Sequence, residues 1–395
     1  MIPFNIKVYL VLALCAFTNI APAFSITQPV TEKLKLPAGF HITIFAKLYN
    51  APRMLAFDKN GNLFATSAKG NQVVMLADAN KDGLAETVTL VADNLNAPNG
   101  LVFVGDDLLV ANQDGIVKLS KLTQKDGQGN FKWSAPKPFI SNLPTGGHTL
   151  KSIKVGADNF LYINVGSSCN VCVEEDASRA TILRYTVEGK PAGGLEVGGR
   201  HTTLAPIWAS GLRNSQGFAW HPKTGSMFAT NEGADNRSNT KNGKVIDELP
   251  PEHLNKIEPG NNYGWPYCWG SRFEDPNFVG PDNFCKNSTP PAITFTSHST
   301  PIGVTFLDKT NWTAEYKNDA IVALHGSWNR VQLSGYKLVR VKFNGDSPVE
   351  VVDFATGWLQ NNQAWGRPVD VAVGPDGALY VSDDGANKIY RITYK

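Results

Sequence analysis

Six stretches of this chain repeat one pattern of short apolar segments, and the repetition limits the fold more than any other feature. They are PRMLAFDKNGNLFAT from Pro52, PNGLVFVGDDLLVAN from Pro98, GHTLKSIKVGADNFLYINVG from Gly147, RNSQGFAWHPKTGSMFATNEG from Arg213, PIGVTFLDKTNWTAEYKNDAIVALHG from Pro301 and RPVDVAVGPDGALYVSDDG from Arg367. Each has a small or turn-forming start, a short apolar strand, a polar turn and a second apolar strand. Most continue through a polar loop to a third strand, such as QVVML at Gln72 or KIYRITY at Lys388. Turns such as Lys59-Asn60-Gly61-Asn62 and Gly374-Pro375-Asp376-Gly377 suit tight hairpins, because Asn and Gly tolerate positive φ. Self-similarity at about 40–50 residues signals a propeller. Each unit is a small antiparallel sheet that leaves apolar faces uncovered alone, so the units must pack radially. The sequence therefore reads as an all-β, six-bladed β-propeller filling residues 36–395 as one domain. The early strand Phe40–Phe45 and the terminal strand Lys388–Tyr394 are expected to complete one blade together and close the ring.

The chain has 395 residues, 42% of them hydrophobic and 18% charged, an ordinary globular balance. A net charge of +2 is too small for a nucleic-acid footprint. The N-terminus reads as a signal peptide over residues 1–23. Lys7 gives a positive start, Val8 to Phe17 an apolar run, and Ala21-Pro22-Ala23 a small-x-small cleavage site. The run is too short for stable membrane insertion, and Cys15 falls within it without a small residue before it. A periplasmic or secreted protein is expected.

The mature chain keeps Cys169, Cys172, Cys268 and Cys285. An even count in an exported protein favours disulfides, most simply Cys169–Cys172 and Cys268–Cys285. A four-thiolate zinc site is the alternative, opposed by an oxidising compartment. The two pairs fall in two apparent insertions, from Ser168 to about Trp208 and from Asn236 to about Thr300. Long loops in a compact domain are functional or clamped.

Several motifs gather polar chemistry at the blade starts and strand ends. Gly146-Gly147-His148 leaves one side of a histidine open to a ligand. Arg213-Asn214 sets a fork of donors beside an amide, fitting a planar carboxylated or quinonoid ligand, or else a structural pair between blades. Asn231-Glu232-Gly233-Ala234-Asp235 offers backbone carbonyls beside acidic groups, natural ligands of calcium. Asn261 to Trp269 is a dense aromatic turn, either a stacking platform or a pinned corner. His325-Gly326-Ser327-Trp328-Asn329-Arg330 and Trp365-Gly366-Arg367-Pro368-Val369-Asp370 bring further cations and donors to the same end. Asp78-Ala79-Asn80-Lys81-Asp82-Gly83 opens like an EF-hand loop, but Thr89 stands at its twelfth place. It reads as a blade-edge turn with some capacity for structural calcium.

In GGH, GLRNSQGFAW, NNYGWPYC, HGSWNR and RPVDVAVGPDGALYVSDD the chain resembles the pyrroloquinoline-quinone (PQQ) dependent sugar dehydrogenases of the soluble glucose/aldose and L-sorbosone type. The sorbosone dehydrogenase branch is nearest, through SSCNVC and YGWPYC. The resemblance implies a six-bladed propeller and PQQ and Ca2+ as cofactors. It implies His148 as catalytic base and Arg213 and Asn214 as a cofactor-contacting pair, with Arg213 also stabilising developing charge. Gly233 and Ala234 would hold calcium through their carbonyls, Arg367 would bind the cofactor's carboxylates, and His325 would lie near a cofactor-contacting position. Gly147 stands where glucose-type enzymes have Asp, and Val369 where they have a second arginine. The expected partners are a sugar and an electron acceptor, a cytochrome or a membrane quinone. A calcium-dependent lactonase and a non-catalytic binding propeller are the competing readings.

Overall fold

The ring is assembled from four-stranded antiparallel sheets, one for each sequence repeat, in a computed structural model that describes residues 33–395 except 126, 128, 130, 194–195, 198–199 and 202–205. The expected signal segment and Cys15 lie outside the described residues. Blade 1 runs Leu55–Phe57, Leu63–Ser67, Gln72–Ala77 and Thr87–Ala92, each strand beside the last. Blade 2 is Leu101–Val104, Asp107–Asn112, Gly115–Lys125 and Lys137–Ile140, with Phe131–Trp133 added to its third strand. Blade 3 is Ile153–Val155, Phe160–Val165, Thr181–Thr186 and Ile207–Ser210; blade 4 is Phe218–Trp220, Met227–Asn231, Glu252–Ile257 and Ile293–Phe295. Blade 5 is Pro301–Phe306, Ala320–Leu324, Lys337–Asn344 and Ser347–Ala355. Blade 6 takes Pro368–Val373, Leu379–Asp383 and Lys388–Tyr394 from the C-terminus and Phe40–Lys47 from the N-terminus.

The apolar runs explain this layering. Second strands such as Leu63–Ser67 and Ala320–Leu324 are buried at every position, because neighbouring blades cover both their faces. Outer strands such as Thr87–Ala92 are far more open, with one buried residue in six. First strands of neighbouring blades touch round the axis: 301–306 meets 218–220 and 368–373, and 101–104 meets 55–57 and 153–155. Gly217 permits one of these approaches, since a Cβ there would overlap the Ile302 carbonyl of the next blade.

Closure by the N-terminal strand is built as the sequence suggested. Phe40 pairs with Tyr394 and Lys47 with Lys388 across one irregularity. Phe40 is also set edge-on into the aromatic rings of Trp312, Tyr316 and Phe354 of blade 5, at centroid distances of 4.7, 5.2 and 5.0 Å. Such pairs add to the burial of the ring itself.

The two apparent insertions are shorter than the sequence suggested. The segment after Ser168 contains Thr181–Thr186, the third strand of blade 3, and the segment after Asn236 contains Glu252–Ile257 and Ile293–Phe295, the outer strands of blade 4. These strands carry polar residues such as Glu252, His253 and Lys256, which hid their period. Both disulfides, Cys169–Cys172 and Cys268–Cys285, are formed, which excludes a four-thiolate zinc site. The Asp78–Gly83 turn joins the third and fourth strands of blade 1, and Thr89 lies in the latter strand. No helix among the described residues is long and apolar enough to cross a membrane.

If the closing strand is anchored by its first aromatic residue, Phe40→Ala costs about 3–5 kcal/mol in chemical denaturation. Val88→Ala on the exposed outer strand of blade 1 stays within about 0.5 kcal/mol. Equal effects of the two changes would contradict the anchoring.

Candidate functional site

In an antiparallel blade the start of the first strand lies beside the end of the second. All residues at those two places in the repeat therefore emerge on one face of the ring. His148 lies in the connection from blade 2 to blade 3, Arg213 and Asn214 in that from blade 3 to blade 4, and Arg367 in that from blade 5 to blade 6. Gly233 and Ala234 follow the second strand of blade 4, and His325 follows that of blade 5. The structure thus brings every expected site residue to the same face.

A continuous hydrogen-bond chain links three of them, Asn214, His325 and Arg367. Asn214 Nδ2 donates to Glu232 Oε2 (3.0 Å), and Gln216 Nε2 donates to Glu232 Oε1 (3.1 Å). Arg53 joins this to the far side: Nη2 reaches Gln216 Oε1 (3.2 Å), Nε reaches Asn99 Oδ1 (2.7 Å), and Nη1 reaches Asp384 Oδ2 (2.8 Å). Asp384 Oδ1 then meets His325 Nε2 at 2.9 Å, and Arg367 Nη2 meets His325 Nδ1 at 3.0 Å. A second cluster surrounds Arg213. Its Nη2 contacts Asp235 Oδ2 and Asn170 Oδ1, both at 3.0 Å, and its Nε donates to the Asn170 carbonyl at 3.1 Å.

The two histidines carry their protons on opposite nitrogens. A guanidinium is only a donor, so Arg367 requires a lone pair on His325 Nδ1, and the proton sits on Nε2, donated to Asp384. Burial brings the His325 ring down to about 4, despite the bond from Asp384, so it is neutral. Burial also opposes charge on Asp384. The His325 bond and the charges of Arg53 and Arg367 outweigh it and draw that carboxyl down to about 2. At His148 the case is reversed. Ser167 Oγ gives its single hydrogen to the Cys169 carbonyl (2.7 Å), so it accepts from His148 Nδ1 (2.9 Å), as does the Ser167 carbonyl (3.2 Å). The proton is therefore on Nδ1, and Nε2 keeps its lone pair with no hydrogen-bond partner among the described residues. Burial, and then the nearby Arg213 charge, hold the ring at about 4. His148 is thus a neutral base at physiological pH.

Several further polar atoms on this face are buried without partners, among them Asn214 Oδ1, Arg367 Nε, Asn112 Oδ1 and Asn329 Oδ1. Such atoms occur elsewhere among the described residues too, but here they stand beside His148 and Arg213, where a polar ligand could satisfy them. The Gly233 turn is held by its N–H, which donates to Glu252 Oε2 at 2.5 Å. Burial, with the charges of Glu232 and Asp235, pushes Glu252 up to about 8. The arrangement combines a free imidazole base, guanidinium donors and a pinned acidic turn.

The two departures from the glucose type have structural causes. A Cβ at Gly147 (φ 59°) would overlap the backbone of Ser167 and Ser168, so this backbone has no room for an aspartate. Val369 is fully buried in an apolar cluster with Met54 and Ile302. The aromatic turn is a packed corner: Tyr263, Trp265 and Trp269 are buried, and Trp265 Nε1 donates to the Asn170 carbonyl at 3.1 Å. A separate cleft of about 580 Å³, bordered by His41, Asp82, Asp376 and Arg391, opens at the opposite end of blade 6 and contains none of the site residues.

Arg53, Asn99 and Asp384 were not singled out from sequence, and Glu232 was read only as an acidic group of the Gly233 turn. Strand register offers the missing signal. Pairing of Phe218 with Ala229, Val304 with Val322 and Val371 with Val381 makes Glu232, His325 and Asp384 equivalent positions of three repeats. Choosing His325 in one blade therefore points to its counterparts in two others.

The match to the TrAA12-like family covers residues 34–395. An uncharacterized protein of Borreliella burgdorferi is 27% identical over 382 residues, covering 93% of this chain and 93% of that protein. The pyrroloquinoline quinone-dependent pyranose dehydrogenase of Coprinopsis cinerea is 28% identical over 282 residues, covering 59% of this chain and 38% of that longer protein. A solved structure of the carbohydrate-active enzyme family AA12 from Trichoderma reesei superposes with a TM-score of 0.78 at 18% identity, covering 93% of this chain and 99% of that one, a likeness of fold. The chain, a six-bladed propeller throughout its described length, belongs to the TrAA12-like family.

Proposed function

We propose that this propeller is an exported PQQ- and calcium-dependent dehydrogenase that oxidises an aldose or a sugar aldehyde, of the sorbosone-like kind, and passes the electrons to a cytochrome or a membrane quinone. Removal of residues 1–23 would release it to the periplasm or the exterior. The observation that carries the reading is the free Nε2 of neutral His148 on the same face as Arg213 and the orphaned Asn214 Oδ1 and Arg367 Nε. Similarity to a quinone-dependent pyranose dehydrogenase supports it.

The donor set fits a flat, carboxylated quinone. Arg213, Asn214 and Arg367 would hold the cofactor, and the carbonyls of Gly233 and Ala234 would hold calcium. His325 orients Arg367, since both its ring nitrogens are already bonded. When bound, the quinone with its metal supplies the two-electron acceptor. The chain supplies the base: His148 Nε2 takes the proton from the sugar hydroxyl, and Nδ1–H stays on Ser167 to keep the ring in place. Arg213 places positive charge where negative charge develops. Lactone hydrolysis on a metal would need free carboxylates converging on the ion. Asp235 and Asp384 are instead committed to arginines, and Glu232 to two amides.

Adding PQQ and Ca2+ to purified apo-protein raises its melting temperature and gives dye reduction with at least one member of an aldose panel. Lactone hydrolysis without quinone, or no thermal shift and no activity, rejects the reading. In the active protein, His148→Ala lowers kcat by about 10²–10⁴-fold and leaves quinone affinity nearly unchanged. Because the base works neutral and its pKa is depressed to about 4, kcat/KM falls only as pH drops through about 4 and is level from there to neutrality. An acid limb near 6.5 in the pH profile would remove His148 from that role.

A further inference from the structure

We propose that Asn170 is the positioning residue that aims Arg213 into the site, and that the Cys169–Cys172 disulfide holds Asn170 in place. The inference rests on the site reading above and adds a residue that neither motif spacing nor family likeness assigns.

Arg213 is 4% exposed, so its guanidinium depends on protein partners. Asn170 provides two of its three hydrogen bonds, through the backbone carbonyl to Nε and through Oδ1 to Nη2. Two acceptors on one edge fix the plane of a guanidinium, whereas the single contact with Asp235 leaves it free to rotate. Asn170 is itself fully engaged. Its Oδ1 also accepts from the Asp235 N–H (2.7 Å), its Nδ2 donates to the Asp235 carbonyl (2.9 Å), and its carbonyl accepts from Trp265 Nε1. It therefore sets Arg213 and its counter-ion together.

Nothing in the sheet ladders holds this loop. Asn170 lies between the second and third strands of blade 3, outside both, and the disulfide closes directly over it. The same short loop touches the base, since the Cys169 carbonyl takes the Ser167 hydroxyl proton and so makes Ser167 an acceptor for His148. A bridge between residues three apart restricts the unfolded chain less than the 17-residue span of Cys268–Cys285. Its structural effect is accordingly local, and it falls on the two groups that carry the chemistry.

The test compares Asn170→Ala, Asn170→Asp and the Cys169→Ser/Cys172→Ser pair with wild type. Phenylglyoxal labelling, located by peptide mass spectrometry, reports access to Arg213 without any cofactor. Arg340, buried in blade 5 against Asp319 and Glu315, is the internal reference for the global fold. Arg213 is expected to label about tenfold faster in the Ala and double-Ser variants, with Arg340 unchanged, and Asn170→Asp, which keeps the acceptors, retains protection. Quinone affinity in Ca2+ falls about tenfold in the first two, the scale usual for loss of a supporting partner. Arg213 as protected in the Ala and double-Ser variants as in wild type overturns the proposal. If Arg213 responds while wild type binds no quinone, positioning stands and the functional reading fails. If quinone binds with Arg213 equally protected throughout, the reverse holds.

Discussion

A guanidinium buried at the axis organises this molecule. Arg53 is 8% exposed, and its three nitrogens are bonded to groups from three other blades: Asn99 entering blade 2, Gln216 entering blade 4 and Asp384 leaving the second strand of blade 6. Each of these extends the contact. Asn99 Nδ2 reaches the Lys151 carbonyl and Ser152 of blade 3, and Asp384 reaches His325 of blade 5. An unpaired charge in such a place costs several kcal/mol. The cation is satisfied only when blades 2, 4 and 6 have met blade 1, and blades 3 and 5 join through its partners, so ring closure and assembly of the polar face are coupled at this group.

The axis has a polar side and an apolar side. Strand pairing places Arg53, Asn99, Lys151, Gln216, Ile302 and Val369 at one register of the six repeats. Blades 1, 2 and 4 supply the hydrogen-bonded side, while Ile302 and Val369 join the core around Met54. Lys151 turns its ammonium to the carbonyls of Gln113, Pro144 and Thr149. Arg213 and Arg367 stand beyond this layer, each with its own supporting partner. The histidines beside them are neutral but differ in tautomer, one presenting a lone pair outward and the other spending both nitrogens on an arginine and an aspartate. The difference follows from the neighbours alone: Ser167 can only accept, and Arg367 can only donate.

Most of the fold was legible because short apolar strands with Asn-Gly turns leave a strong period. The ring closure was legible from propeller architecture, in which a strand from one terminus completes the blade built by the other, as Phe40–Lys47 does beside Lys388–Tyr394. The outer strands of blades 3 and 4 were not, since Glu252–Ile257 alternates with polar groups that serve the site and the neighbouring corner. His148, Arg213 and Arg367 were legible as unusual residues at blade starts. Arg53 and Asp384 were not, because an Arg after Pro and an Asp in a turn are locally ordinary. Their meaning appears only when the repeats are aligned by strand register. Asn170 was read as part of a disulfide loop, and its bonds to Arg213 and Asp235 depend on a meeting of blades 3 and 4 that no local pattern encodes.

A crystal structure of the protein soaked with PQQ and Ca2+ tests the central claim most directly. Quinone density touching His148 Nε2, Arg213, Asn214 and Arg367 on the one face, with the Arg53 network unbroken beneath it, is the predicted result. Density confined to the cleft at the far end of blade 6, or a quinone that displaces Arg53 from Asp384, would contradict it.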